Sequence, residues 1–63
     1  MPRSGKYIIA LLRKNGWEII GQRGSHVKLK SGDKVTVVPT HGNKDLGLGL
    51  VRAIEKQTGI KIL

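Results

Sequence analysis

Turn signals divide this 63-residue chain into short pieces: Asn15-Gly16, Arg23-Gly24, Ser31-Gly32-Asp33, Pro39 and Gly59. Between Asn15-Gly16 and Pro39 no uninterrupted stretch exceeds the length of one strand, so the middle of the chain is confined to hairpins. The pieces outside it are long enough for one helix each. Such a chain makes one domain, residues 1–63, and buries only about 60% of the surface that its unfolded state exposes. A second domain, a deep small-molecule cavity and a large cofactor-binding unit are excluded on size. Cysteine is absent, so neither a disulfide framework nor a thiolate zinc site supports the core.

The first piece predicts a helix over 5–15. Ser4 is placed to cap it, Ile8, Leu11 and Leu12 recur at helical spacing, and Lys6, Arg13 and Lys14 fall near the other face. Gly16 suits the left-handed position that ends a helix. Residues 17–22 are rich in apolar and β-branched residues and predict a first strand. Residues 25–30 alternate strictly, Val27 and Leu29 one way and His26, Lys28 and Lys30 the other. Residues 34–38 make a third strand, closed by Pro39, which cannot donate to a ladder. A polar, glycine-punctuated loop over 40–49 leads into a second helix through Leu50, Val51 and Ile54, stopped by Gly59 and followed by the apolar tail 60–63. Asn43 or Asp45 is the expected cap, with Gly47 and Gly49 loosening the start. The fold class is therefore α+β, in the order α-β-β-β-α: a three-stranded antiparallel sheet with both helices on one face. The other face is left open with His26, Lys28 and Lys30 on it.

Charge narrows the partners. Twelve Lys and Arg against four Asp and Glu give +8, a field that favours nucleic acid, an anionic membrane or an acidic protein. Tyr7 and Trp17 are the only aromatics, so the stacking platforms of many single-strand binders are largely missing. Trp17 fits a core anchor better than a base-stacking group. The basic start, Met1 to Lys6, is followed by an apolar run from Tyr7 to Leu12 that is too short for a signal-peptide core. No stretch approaches the roughly 20 apolar residues of a membrane span, and the expected location is cytoplasmic.

Most catalytic templates fail. The four carboxylates are scattered, and there is no phosphate-binding P-loop. Gly47-Leu48-Gly49 lacks the third glycine of a dinucleotide fingerprint, and no spacing gathers metal ligands. Ser25 and His26 are neighbours on a strand and point to opposite faces, which rules against a Ser-His nucleophile pair. His26 remains, beside Lys28 and Lys30. A histidine ordinarily titrates near pH 6.5, and cations beside it can hold a phosphate. A base for the 2′-hydroxyl, positive charge for the phosphorane and an acid for the leaving oxygen are what RNA cleavage requires. A solvated surface histidine is the plainer alternative. His41, after Pro39-Thr40, stands as a second acid/base group, a phosphate contact or an ordinary loop residue. Lys44, Arg52, Lys56 and Lys61 either extend a phosphate-binding surface or are solvated.

Taken together, Asn15-Gly16-Trp17, Arg23-Gly24-Ser25-His26, Val35-Thr36-Val37-Val38-Pro39 with His41, Lys44-Asp45-Leu46, Gly49, Arg52-Ala53-Ile54 and Lys56-Gln57-Thr58-Gly59-Ile60 resemble the HicA family, the toxins of HicA/HicB toxin-antitoxin systems. The resemblance runs in order and without gaps over nearly the whole chain. It implies a fold like a double-stranded RNA-binding domain. It also implies an mRNA interferase, an endoribonuclease acting on messenger RNA, with His26 of Gly24-Ser25-His26 as the catalytic histidine. No metal or organic cofactor is implied, and the implied partner is a HicB-like antitoxin that covers the site. Around His26 we expect RNA contacts from Arg23, Ser25, Lys28, Lys30, His41 and Lys44. A non-catalytic RNA-binding module on the same fold is the competing expectation. The extra glycine in Asp45-Leu46-Gly47-Leu48-Gly49 departs from the family pattern and predicts a late start for the second helix.

Overall fold

The computed structural model describes residues 3–42 and 44–63. Helix α1 runs Gly5–Lys14, strands β1, β2 and β3 run Glu18–Arg23, His26–Ser31 and Lys34–Pro39, and helix α2 runs Leu48–Thr58. Each expected element is present, with ends shifted by a residue or so. Ser4 caps α1, its hydroxyl accepting from Tyr7 N–H, and Gly16 follows the helix at φ +89°. Pro39 joins the end of β3, an edge position where its missing N–H costs no ladder bond.

The sheet is an antiparallel meander in the order β1-β2-β3. Val27 and Leu29 of β2 and Thr36 and Val38 of β3 point to the helix side and are buried with Ile8 and Leu12 of α1, Val51 and Ile54 of α2, Trp17 and Ile62. Trp17 is thus the core anchor expected. Each such apolar side chain, taken fully from water, contributes about 1.5–3 kcal/mol. Thr36 and Thr58 are the buried polar residues among those described, and the Thr36 hydroxyl donates to Gln57 Oε1 of α2 at 2.8 Å, which offsets the cost of burying it.

Cover is uneven. Every residue of β1 is exposed, and Ile19, on the helix side opposite Leu29, keeps 45% of its surface in water. α2 packs on β3 and α1 on β3 and the start of the sheet at β1, and the side chains they bury are those of β2 and β3. A bulge between Ile19 and Gly21 adds Ile20 to β1, which bends an edge strand and discourages further pairing.

One expectation fails. Asp45 does not cap α2. The cap position is Gly47, which offers no side-chain bond. The Asp45 carboxylate accepts instead from Arg3 N–H at 3.0 Å, within an antiparallel bridge between Ser4 and Asp45 that Leu46 N–H, donating to Arg3 C=O at 3.0 Å, extends. Its acceptor capacity is spent on the chain's start. Asn43, the other expected cap, lies outside the described residues. α2 starts at Leu48, inside the loop expected over 40–49, and takes Gly49 into its first turn.

Candidate functional site

Strand register builds the open face row by row, since paired residues share a side of the sheet. The first row is Arg23, His26 and Pro39; the next is Gly21, Lys28 and Val37; the last is Glu18, Lys30 and Val35. His26 therefore has one cation across from it and another two residues along its own strand. A small open depression of about 220 Å³ is lined by Gly21, Gln22, Arg23, His26, Lys28 and Val37. Glycine at position 21 leaves the β1 end of the Lys28 row without a side chain, and this opens the space.

The structure brings His41 to the same end. The His26 and His41 rings lie 6.4 Å apart between centroids, nearly perpendicular at 86°. Three contacts place that loop. Thr40 N–H and Thr40 Oγ1 both donate to the carbonyl of Ser25, at 2.6 and 3.0 Å, so the residue before His26 holds the residue before His41. Gly5, at the start of α1, packs against the backbone beyond β3. A Cβ there would overlap the Pro39 carbonyl oxygen and stand 3.1 Å from Thr40 Cα. The far end of the loop is held by the Ser4–Asp45 bridge. Between these ties Gly42 takes φ +64° and Lys44 N–H donates to His41 C=O at 3.3 Å.

Beyond His41 lies a larger cleft of about 570 Å³, lined by Pro39, His41, Lys44, Asp45, Leu46, Gly47 and Leu50. Lys44 thus accompanies His41. Lys30 is set apart. Four residues from His26 along β2, it is about 13 Å away at strand spacing, opposite Glu18, and lines a separate depression with Gly16, Ile20 and Ser31. Ser25 is half-buried, and its placed contribution is its backbone carbonyl. Among the described residues no three His, Asp or Glu side chains gather to hold a metal, and no helix is long and apolar enough to cross a membrane. The open face is not purely polar: Ile20, Val35 and Val37 keep 41–49% of their surface exposed beside the lysines.

Sequence reasoning missed Gly5, Thr40 and the Arg3–Asp45 tie, all of which position the loop. The faint available signal was glycine at the first helical turn, where almost any other residue makes a better helix.

Comparison with known proteins gives two results. The family model described as the HicA toxin of bacterial toxin-antitoxin systems matches residues 5–60. A Pseudomonas fluorescens (strain Pf0-1) protein named "Probable mRNA interferase HicA" is 44% identical over 50 residues, covering 79% of this chain and 83% of its own length.

Proposed function

The chain belongs to the HicA family of bacterial toxin-antitoxin toxins, and from that membership we propose that it is an mRNA interferase, an endoribonuclease that uses His26 for metal-independent acid/base cleavage. The observation that carries the reading is the placement of His26: exposed, on the open sheet face, with Arg23 across from it and Lys28 beside it. A phosphodiester laid on that face meets two cations that neutralise the charge developing on the phosphorane and an imidazole that can move the 2′-hydroxyl proton. Lys30, and Lys44 at the loop, extend the electrostatic track along the RNA backbone. Ser25 contributes to the site through the backbone it holds.

The partner follows from the same surface. A HicB-like antitoxin that presents acidic groups to Arg23, Lys28 and Lys30, and apolar ones to Ile20, Val35 and Val37, covers His26 and inhibits by occlusion. Charge complementarity makes that association fast and salt-sensitive.

His26→Ala tests the catalytic role. The side chain is exposed, so the variant should fold as the wild type does, and RNA cleavage should fall by about 10²–10⁴-fold. Cleavage should persist in excess chelator. Unchanged cleavage by the variant refutes the assignment of His26. A wild-type protein that binds RNA and never cuts it is the non-catalytic module instead.

A further inference from the structure

Resting on the ribonuclease reading, we propose that His41 is the second proton-transfer group of the site, donating to the leaving 5′-oxygen while His26 accepts the 2′-hydroxyl proton. The two imidazoles come from the start of β2 and the loop after β3, 15 residues apart in sequence, and meet edge to face at 6.4 Å between centroids. An imidazole nitrogen works on a proton at about 2.6–3.2 Å. Rings this close leave no room for a phosphate between them, but one seated over the pair on the open face comes within that reach of a nitrogen of each. Each ring can then address a different oxygen of the same phosphorus.

The step balances without a further reactant. The 2′-oxygen forms a bond to phosphorus as its proton passes to the His26 imidazole. The bond from phosphorus to O5′ breaks as His41, entering as imidazolium, gives its proton to O5′. The products are a 2′,3′-cyclic phosphate and a free 5′-hydroxyl. His26 leaves the step protonated and His41 neutral, and exchange with water restores both. The leaving oxygen is assigned to His41 because the larger cleft opens beyond it, giving the departing nucleoside a path off the sheet. His26 is fixed in the strand between the cations Arg23 and Lys28, which hold the ribose-phosphate being attacked.

The loop is also held more firmly than a solvated histidine requires. Both donors of Thr40 are spent on Ser25 C=O, and Gly5 is packed against Pro39 and Thr40. Those ties set the distance between the residue after Thr40 and the residue after Ser25. These are His41 and His26.

A sulfur-bridged substrate separates proton donation from every other role. In RNA with a 5′-bridging phosphorothiolate linkage the leaving thiolate departs without a proton. His41→Ala and His41→Gln should cut ordinary RNA about 10²–10⁴-fold more slowly than wild type, and should recover to within roughly tenfold of wild type on the sulfur-bridged linkage. His26→Ala should be slow on both. Both substitutions at position 41 lie in an exposed loop, and unchanged thermal unfolding confirms their fold. If the His41 variants cleave ordinary RNA at the wild-type rate, or are equally slow on both substrates, His41 is not the proton donor. If His26→Ala is the variant that recovers, the roles are reversed and the assignment fails. A wild type inactive on both substrates refutes the ribonuclease reading itself.

Discussion

The same substitution at two glycines should have opposite effects. Gly5 and Gly49 both lie within two residues of a helix start, and neither has a positive φ. Alanine in place of glycine in a helix gains about 0.5–1 kcal/mol by reducing the freedom of the unfolded chain. At Gly49 nothing lies within 4 Å of the added methyl, so the gain is kept. At Gly5 the methyl meets the Pro39 carbonyl oxygen, backbone that cannot rotate aside, and the helix or the 39–40 segment must move. Overpacking of this kind costs about 1–3 kcal/mol. Setting the cost against the gain leaves Gly5→Ala less stable by up to about 2.5 kcal/mol.

For a domain of this size each kcal/mol moves the melting temperature by about 4–8 °C. Thermal unfolding should therefore rise by a few degrees for Gly49→Ala and fall, by up to roughly 20 °C, for Gly5→Ala. Cleavage measured well below both transitions adds a second reading. Gly5→Ala should be slowed although folded, because displacing Pro39 and Thr40 displaces His41. Gly49→Ala should cleave normally. A gain in stability for Gly5→Ala equal to that of Gly49→Ala refutes the steric argument. Lower stability with undiminished cleavage shows that the Gly5 packing supports the fold and not the position of His41.

Two further predictions concern charge. Replacing Lys28 and Lys30 by Glu should weaken both RNA and antitoxin binding, and should flatten the salt dependence of RNA affinity by about 0.7 in log-log slope for each single-strand phosphate that the protein no longer neutralises; unchanged antitoxin affinity across a salt series places the antitoxin elsewhere. Because Lys30 stands opposite Glu18, the like-charged pair created there should also cost about 0.2–1 kcal/mol, which Lys28→Glu alone avoids. At the other end of the molecule, backbone N–H donation from Leu63 and then Ile62 holds the Glu55 carboxyl below its usual 4.5. A lowered carboxyl stabilises the fold fully above the usual value and loses that contribution as pH falls through the lowered one. Protection of the Ile62 and Leu63 amides, taken relative to their intrinsic exchange rates, should therefore be full above pH 4.5 and fall as pH drops below it, beyond any change at core amides, and Glu55→Ala should abolish the pH-dependent difference.

The arrangement of elements was legible because it depends on local signals. Val27 and Leu29 alternating with His26, Lys28 and Lys30 set the faces of β2. Ser4 and Gly16 marked the ends of α1. β3 was less readable, because Val35-Thr36-Val37-Val38 has apolar residues on both phases. Thr36 takes the inward phase with Val38, and its hydroxyl bonds Gln57, 21 residues away. That phase turns Val35 and Val37 outward and makes the open face partly apolar. Asp45 misled for the same reason. Its local position fits a helix cap, and a partner 42 residues back, Arg3, takes its carboxylate.

The site divides along the same line. His26 was legible from strand alternation alone, since period 2 fixes its face and its neighbours. Nothing local to His41 distinguishes it from a solvated loop residue. Its position is set by Ser25, through the carbonyl that Thr40 grips, and by Gly5, through the space that a missing methyl leaves for Pro39. A backbone carbonyl has no residue identity, so the first determinant leaves no mark in the sequence. The second leaves only a glycine in a helix, which is ordinarily read as a weak helix start. The pairing of the two histidines therefore comes from the packing of α1 against the end of β3, and a substitution that disturbs that packing should reach His41 without touching His26.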